Sequence, residues 1–299
     1  MPDAFSSLLP PPHEYRASIA VSSDGVKIAV RCWGNRRGPP IVFIHGFAQS
    51  GLAFIRQVRD ARLADKYHLI TYDLRGHGAS DKPVDRAAYQ TGRLWADDLR
   101  AVSIAVEVKR PVLVAWSFGG RVVWDYLEEH GETSVAGAQL VGSSWYKRAG
   151  WESAVSAASL PLMLDSDLPT NIAGTAAFLA SCFAIPPSPD EFAHMLAYNM
   201  VQPPEVRRLI TGRPQQSDKF ISSLTLPLAF VVGEKDLHCF PQASRASAGR
   251  IRGATTLEMP NVGHAPFFED APTFNAQLDA FAERVFLRGS TSDIRSERA

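Results

Sequence analysis

A serine at the end of a predicted buried strand is the first residue in this sequence whose setting suggests chemistry. The segment VLVAWSFGGRVVWDYLEEHG runs from a strand pattern into an amphipathic helix pattern, and Ser117 stands at the junction. Small residues surround it: Ala115 lies two positions before, and Gly119 and Gly120 follow. So tight a reversal forces the junction residue into a strained conformation and directs its hydroxyl to the helix N-terminus, where N–H groups meet negative charge. A helix N-cap is the alternative role for Ser117.

The same segment resembles the nucleophile elbow of the α/β-hydrolase family, in which serine stands in the pattern G-x-S-x-G. This chain reads A-W-S-F-G, so Ala115 replaces the first glycine. One extra methyl group there implies a slightly different packing of strand on helix. The resemblance covers residues 18–145 and 220–287 and implies a serine nucleophile, which separates this chain from the dehalogenase and epoxide hydrolase branches that use aspartate.

The family resemblance also implies a base and an acid that follow the nucleophile in the order serine, acid, histidine. A serine hydroxyl is a weak nucleophile until a base removes its proton. His264, just past a predicted strand in LEMPNVGHAPFF, corresponds to the base. Asp236, in the loop after the strand LPLAFVVG, corresponds to the acid that steadies the imidazole. Glu234, one residue past the strand, and Asp270, at a predicted helix start, are the other carboxylates nearby, and an exposed loop carboxylate is the alternative role for Asp236.

Two backbone N–H groups would stabilise the oxyanion, as the family resemblance implies. One belongs to the residue after the nucleophile, Phe118, and the other to Phe47, which follows the His45-Gly46 pair. Because the backbone donates, the side chains at these positions are free to shape a pocket. We expect Phe47, Trp116, Phe118 and Trp145 to contact the substrate, and His45 to brace its own loop.

Hydrophobic patterns predict the elements that position these residues. Asp24-Gly25 joins two alternating segments, Arg16–Ser22 and Val26–Trp33, as a hairpin. Continuous apolar runs, typical of strands buried on both faces, follow at 41–45, 68–74, 111–117, 137–144 and 226–233. Helical patterns lie between them. This alternation predicts an α/β fold with a doubly wound, mostly parallel sheet, whose ligands bind beyond the carboxyl ends of the strands.

Residues 145–220 have a different pattern, with no buried-strand run and with prolines that separate short helices. We interpret this segment as a helical lid, inserted into a hydrolase core of residues 15–144 and 221–288. Residues 1–14 and 289–299 are expected to be loose termini. Five apolar lid residues at helical spacing are candidates either for the interior of the lid or for the cavity: Met163, Phe178, Phe183, Met195 and Tyr198.

Composition and missing motifs exclude several classes of function. The 299 residues include 31 Lys+Arg and 31 Asp+Glu, so no net charge favours nucleic acid or an anionic membrane as a partner. The three cysteines are scattered, and no dinucleotide or phosphate-binding glycine motif or metal motif occurs. We therefore expect no metal and no cofactor. Without a secretory leader or a long apolar run, we expect a cytoplasmic protein that does not enter a membrane; its oligomeric state stays open.

The resemblance implies an enzyme that hydrolyses a carboxylic ester or lactone with a small to medium hydrophobic acyl group, through an acyl-enzyme on Ser117. The stretch GHAPFFEDAPTFNAQLDAF is similar to that of acyl-homoserine lactone hydrolases. The same stretch also resembles that of cofactor-free haloperoxidase/perhydrolase-type esterases, whose nucleophile elbow often has tryptophan before the serine, as this chain has in Trp116. Carbon–carbon bond hydrolysis on the same triad and a non-catalytic ligand receptor on the same scaffold are the remaining alternatives.

Overall fold

An eight-stranded sheet forms the centre of the protein. The computed structural model describes residues 14–146, 148–214 and 218–296, and of these 218 and 288–296 by their backbone alone. The strands are β1 (Arg16–Val21), β2 (Lys27–Gly34), β3 (Pro40–Ile44), β4 (His68–Tyr72), β5 (Val112–Trp116), β6 (Gly137–Val141), β7 (Leu228–Gly233) and β8 (Thr255–Met259). Their order is β1-β2-β4-β3-β5-β6-β7-β8; β2 runs antiparallel to both its neighbours, and the other pairs are parallel. The predicted mostly parallel α/β sheet is confirmed.

Helices connect the strands and cover both faces of the sheet. They are α1 (Ile55–Val58), α2 (Ala61–Lys66), α3 (Ala87–Gln90), α4 (Gly92–Ala105), α5 (Gly119–His130), α6 (Ala154–Met163), α7 (Leu168–Ser181), α8 (Pro189–Met200), α9 (Pro204–Ile210), α10 (Asp218–Ser222), α11 (Pro241–Ala248), α12 (Pro266–Glu269) and α13 (Ala271–Ser296). Among the described residues, no helix is both long enough and apolar enough to cross a lipid bilayer.

Two hydrophobic cores, one on each face of the sheet, explain the continuous apolar runs. Successive side chains of a strand point to opposite faces. Val42 and Ile44 of β3 therefore join the cluster that contains the apolar sides of α4 and α5, whereas Ile41 and Phe43 join the cluster that contains α12 and α13. A strand buried on both faces has no polar position to alternate with, so β3 reads as an unbroken apolar run.

Five helices, α6 to α10, lie between β6 and β7, the interval for which the sequence predicts the lid. Prolines occupy the first turns of α7, α8 and α9, where a missing N–H costs nothing. Pro161 departs from the prediction that prolines separate the helices, because it lies inside the last turns of α6. An interior proline removes one helical hydrogen bond and crowds the carbonyl group four residues earlier, and α6 continues for only two residues beyond it.

The structure describes part of each end of the chain, for which the sequence predicts loose termini. Residues 1–13 and 297–299 lie outside the described residues. Glu14 forms an ion pair with Arg59, with Oε2 2.8 Å from Nε. Helix α13 begins at Ala271 and continues to Ser296. The reason is that extending an existing helix adds one hydrogen bond per residue, and no proline follows to stop it.

Helix α4 offers a matched pair of substitutions that tests how the core is packed. Leu99 is fully buried, whereas Ile104 on the same helix is 66% exposed. We expect Leu99→Ala to lower the free energy of unfolding by about 2–5 kcal/mol, because it leaves a cavity. Ile104→Ala should change it by less than about 0.5 kcal/mol. Urea unfolding followed by circular dichroism measures both; equal losses would contradict the described packing of α4.

Candidate active site

Ser117 lies in the short turn between β5 and α5, and its backbone is strained. Its φ is +53°, in the left-handed region that residues other than glycine seldom adopt. Its backbone N–H donates to Val141 O at 2.8 Å, and its carbonyl oxygen accepts from Gly120 N at 3.0 Å. The hydrogen bonds on both sides hold the turn against its strain. The strained conformation that the sequence predicts at this junction is therefore present.

Close contacts, with the backbone at Gly119 and with a side chain at Gly120, require the small residues that follow Ser117. A Cβ on Gly119 would lie 2.5 Å from Ile44 O, and a Cβ on Gly120 would collide with Ser143 Oγ. Neither position has room for a side chain. Ala115, which departs from the family pattern, is fully buried between its strand neighbours Ile44 and Leu140. Its methyl group is thus accommodated within the sheet.

His264 and Asp236 form a buried pair on neighbouring loops at the carboxyl edge of the sheet. The distance from His264 Nδ1 to Asp236 Oδ2 is 2.8 Å, and the two residues are each 2% exposed. The other carboxylate oxygen, Oδ1, accepts from His238 N at 2.7 Å and Cys239 N at 2.9 Å. With three hydrogen bonds the carboxylate is fixed, so it can orient the imidazole.

Two contacts place His264 beside the turn that carries Ser117. The indole Nε1 of Trp116, the residue before the serine, donates to His264 O at 2.8 Å. Gly142 lies against the ring, since a Cβ there would be 2.8 Å from His264 Nδ1. Gly142 directly follows Val141, whose carbonyl oxygen accepts the N–H of Ser117. The structure therefore gathers Ser117, His264 and Asp236 at one edge of the sheet.

The two alternative carboxylates have other partners. Glu234 is exposed, and its Oε2 accepts from Asn261 N at 2.9 Å. Asp270 lies at the end of α12, where Oδ1 accepts from Thr273 N at 3.3 Å. In the described contacts, Asp236 is the carboxylate that bonds the His264 ring.

The backbone N–H groups predicted to act as oxyanion donors belong to Phe118, which directly follows Ser117, and to Phe47, which follows Gly46. Within the described residues, neither N–H has a hydrogen-bond acceptor. The loop that carries Phe47 lies against the serine, because a Cβ on Gly46 would be 3.4 Å from Ser117 Cβ. The two phenyl rings stand edge to face with centroids 6.4 Å apart. This arrangement offers two free donors to an oxyanion formed at the serine.

His45 braces the loop of Phe47, as the sequence predicts. Its Nε2 accepts from Leu74 N at 2.9 Å, and its Nδ1 contacts Gly46 O at 2.8 Å. Complete burial lowers the pKa of His45 to about 4. The ring is therefore neutral, and both its nitrogens serve the backbone.

The two predicted substrate-contacting tryptophans are both buried. Trp116 is 3% exposed and packs edge to face on Phe267, in the cluster on the α13 side of the sheet. Trp145 is 2% exposed and belongs to the opposite cluster, and its backbone N–H donates to Ser247 Oγ at 3.3 Å. Their contact with substrate stays a prediction.

A cleft of about 260 Å³ opens between α1 and α8. Its apolar lining includes Leu52, Ile55, Met195, Tyr198 and Phe268. A second, much smaller space of about 10 Å³ shares Met195, Tyr198 and Phe268 with the cleft and is also lined by Phe183, Trp116 and Ala265. Trp116 and Ala265 are the sequence neighbours of Ser117 and His264, which themselves line neither space.

The five apolar lid candidates thus fall into three groups. Phe183, Met195 and Tyr198 line the cleft or the smaller space. Met163 is fully buried, and Phe178 packs its ring on His238 with centroids 5.0 Å apart.

The sequence did not predict the buried polar residues that join helices α6 to α10 to the rest of the protein. Gln202 Nε2 lies 2.9 Å from His77 Nε2, and the side-chain amides of Gln49 and Asn199 bond each other at 3.3 Å. A backbone bond from His264 N to Cys182 O, at 2.9 Å, adds to them. No periodicity marks such residues. His238 is different, because a second histidine in the loop of the predicted acid could have been noticed.

Comparisons with known proteins identify the family and similar structures. The model of the "Alpha/beta hydrolase family" matches residues 41–277. A structure from Burkholderia cenocepacia, assigned as an aryl esterase, is 34% identical with a TM-score of 0.86, over 91% of this chain and 99% of that one. Esterase RhEst1 from Rhodococcus sp. ECU1013 is 30% identical with a TM-score of 0.83, over 90% and 99%. Est816, described as an N-acyl homoserine lactone degrading enzyme, is 28% identical with a TM-score of 0.72, over 88% and 99%.

The backbone contact at Gly119 predicts unequal effects at the two small positions of the turn. Gly119→Ala should lower the free energy of unfolding by about 1–3 kcal/mol, because its methyl group would press on Ile44 O. Ala115→Gly should cost only about 0.5–1 kcal/mol, the usual penalty of glycine in a strand. Urea unfolding compares the two; a Gly119→Ala protein as stable as the parent would contradict the described turn.

Buried histidines predict that stability falls in mild acid. In the folded chain the pKa of His45 is about 4, below its ordinary value, so the unfolded chain binds the proton first. The free energy of unfolding should therefore fall as pH drops from about 6.5 to about 4, by up to about 3 kcal/mol from this residue. Urea unfolding between pH 7 and 4.5 should give a shallower decline for His45→Gln. Identical slopes would contradict a neutral His45.

Proposed function

The chain belongs to the alpha/beta hydrolase family, and from that premise we propose that it hydrolyses carboxylic esters with small to medium hydrophobic acyl groups through an acyl-enzyme on Ser117. The observation that carries the proposal is the 2.8 Å bond between His264 and Asp236 at the same edge of the sheet as the strained serine. A nucleophile, a base and an orienting acid are the set that acyl transfer needs.

In the proposed mechanism, Asp236 accepts the Nδ1–H of His264, which leaves Nε2 free to take the proton of Ser117. The serine oxygen attacks the carbonyl carbon, and the resulting oxyanion accepts hydrogen bonds from the N–H groups of Phe47 and Phe118. The tetrahedral intermediate collapses and expels the alcohol, which receives the proton from His264. Water, activated by His264, then attacks the acyl-enzyme and releases the acid and the serine.

The cleft beside α8 supports a small to medium apolar substrate. Its volume of about 260 Å³ lies just below the range of roughly 300–1,000 Å³ that is usual for drug-sized ligands. Six of its ten lining residues are aliphatic or aromatic, and the polar ones are Arg56, Arg59, Glu191 and His194. Two similar structures carry esterase names, which favours an ester as the substrate class.

A lactone is the second candidate substrate, because Est816 is described as a lactone-degrading enzyme and is 28% identical to this chain. A lactone is a cyclic ester, so the same attack opens the ring and the leaving hydroxyl stays on the acyl-enzyme. A perhydrolase would release the acyl group to hydrogen peroxide instead of water. A carbon–carbon bond hydrolase would expel a carbanion equivalent from a diketone.

Substitution of the proposed triad tests the mechanism, with p-nitrophenyl acetate and butyrate and a simple γ-lactone as substrates. Ser117→Ala should abolish turnover, whereas Ser223→Ala, an exposed serine, should leave it unchanged. Asp236→Asn should lower kcat by about 10⁴-fold, because the imidazole is then held in the wrong tautomer. Glu234→Gln is the matched control on the same loop, and it should retain full activity.

The outcomes separate the candidate functions. Turnover of the esters but not of the lactone supports the first proposal, and the reverse pattern supports the second. If Ser117→Ala and the parent protein are equally inactive on every ester and lactone, and a fluorophosphonate labels neither, the proposed function is wrong and the ligand-receptor alternative is favoured.

A further inference from the structure

A second imidazole, that of His238, lies beside the proposed base. The ring centroids of His238 and His264 are 4.8 Å apart at an interplanar angle of 44°, and Trp116 approaches His264 with centroids 5.6 Å apart. His238 stands two residues after Asp236, and its backbone N–H donates to Asp236 Oδ1 at 2.7 Å. It is therefore bonded to the proposed acid through its backbone and packed on the proposed base through its ring.

The ring nitrogens of His238 are bonded to two helices of the segment between β6 and β7. Nδ1 lies 2.7 Å from Ser156 Oγ on α6, and Nε2 lies 2.9 Å from Ser181 Oγ on α7. Ser181 Oγ donates its own hydrogen to Phe178 O at 2.7 Å, so it accepts from Nε2–H. Nδ1 is then the acceptor for the hydroxyl of Ser156. This pattern requires an uncharged His238 ring with its proton on Nε2.

The neutral state of His238 agrees with its surroundings. Burial, followed by the neighbouring His264 ring, lowers the pKa of His238 to about 3, against the opposing effect of Asp236. The loop is also held one residue earlier, where Leu237 O accepts from Ser153 Oγ, the N-cap of α6, at 2.8 Å. Helices α6 and α7 are thus both bonded to the loop that carries Asp236.

The bond to Asp236 fixes one atom of the His264 ring but does not by itself set the tilt of the ring, which depends on the groups packed on it, Trp116 and His238. We propose that His238 is a positioning residue: its ring limits the tilt of the His264 imidazole, and its two serine bonds make that restraint depend on the seating of α6 and α7. The inference rests on the proposed triad. Through His238, the helices between β6 and β7 help to orient the base, in addition to covering the substrate.

The test compares His238→Leu, which keeps the bulk but removes the ring's bonds to Ser156 and Ser181 and its 3.7 Å contact with Cys182 Sγ, with His238→Gln, whose amide can donate to Ser181 and accept from Ser156. Each variant is assayed for kcat and KM on p-nitrophenyl acetate and for the second-order rate at which a small fluorophosphonate modifies Ser117. Ser156→Ala and Ser181→Ala remove the partners. Ser159→Ala is the matched control on α6, because its hydroxyl bonds only Val155 O of its own helix.

A positioning role predicts a pattern of kcat, KM and modification rates that a purely structural role would not produce. His238→Leu should lower kcat and the modification rate together by roughly tenfold, with KM within about twofold, because a misaimed base slows both reactions. His238→Gln should stay within about threefold of the parent, the two partner variants should each lose roughly threefold, and Ser159→Ala should lose nothing. In an Asp236→Asn background, His238→Leu should cost less than about twofold more, since both changes act on one ring.

Other results would overturn the inference without touching the proposed function. An unchanged modification rate in His238→Leu, with a raised KM or a lowered Tm, would mean that His238 only holds the helices in place. If His238→Leu does not fold, the Ser156→Ala/Ser181→Ala double variant decides by the same two rates. Loss of labelling in Ser117→Ala tests the triad separately, so the two failures are distinguishable.

Discussion

The contact between Gly119 and the carbonyl oxygen of Ile44 is the constraint on which the candidate site depends. It allows α5 to begin directly against the end of β3, which no side chain at position 119 would permit. The chain can then turn within one residue, and Ser117 takes the positive φ that such a turn demands. The same closeness brings the loop of Phe47 against the serine. The nucleophile and both proposed oxyanion donors therefore follow from one backbone approach.

The base is held by a different part of the protein. His264 bonds Asp236 in the β7 loop, but its backbone N–H donates to Cys182 O, at the end of α7. Glu269 extends this connection, because its carboxylate accepts from Gly263 N at 2.9 Å and from Ala184 N at 2.8 Å. The serine is thus positioned by the sheet, whereas the histidine is positioned jointly by the sheet and by the helices between β6 and β7. Movement of those helices would change the geometry between base and nucleophile.

Sequence reasoning succeeded where a residue type is forced by local geometry. The strand runs were predictable because burial on both faces leaves only apolar positions, and the elbow because glycine must follow so tight a turn. It could not reach contacts between distant segments, such as Gln202 with His77, since these depend on how α8 and α9 dock and leave no periodic signal. That a residue is aromatic also did not show whether its side chain faces the substrate or the core: Trp116 and Trp145 both pack inward, into opposite cores.

The central claim is that Ser117 attacks a carbonyl carbon whose oxygen turns toward two backbone donors. A crystal structure of the protein after reaction with a small fluorophosphonate tests this most directly, because the phosphonyl group mimics the tetrahedral intermediate. The account predicts phosphorus bonded to Ser117 Oγ, with the phosphonyl oxygen roughly 2.7–3.1 Å from the N–H groups of Phe47 and Phe118. An adduct on another residue, or a phosphonyl oxygen that turns away from both donors, would contradict it.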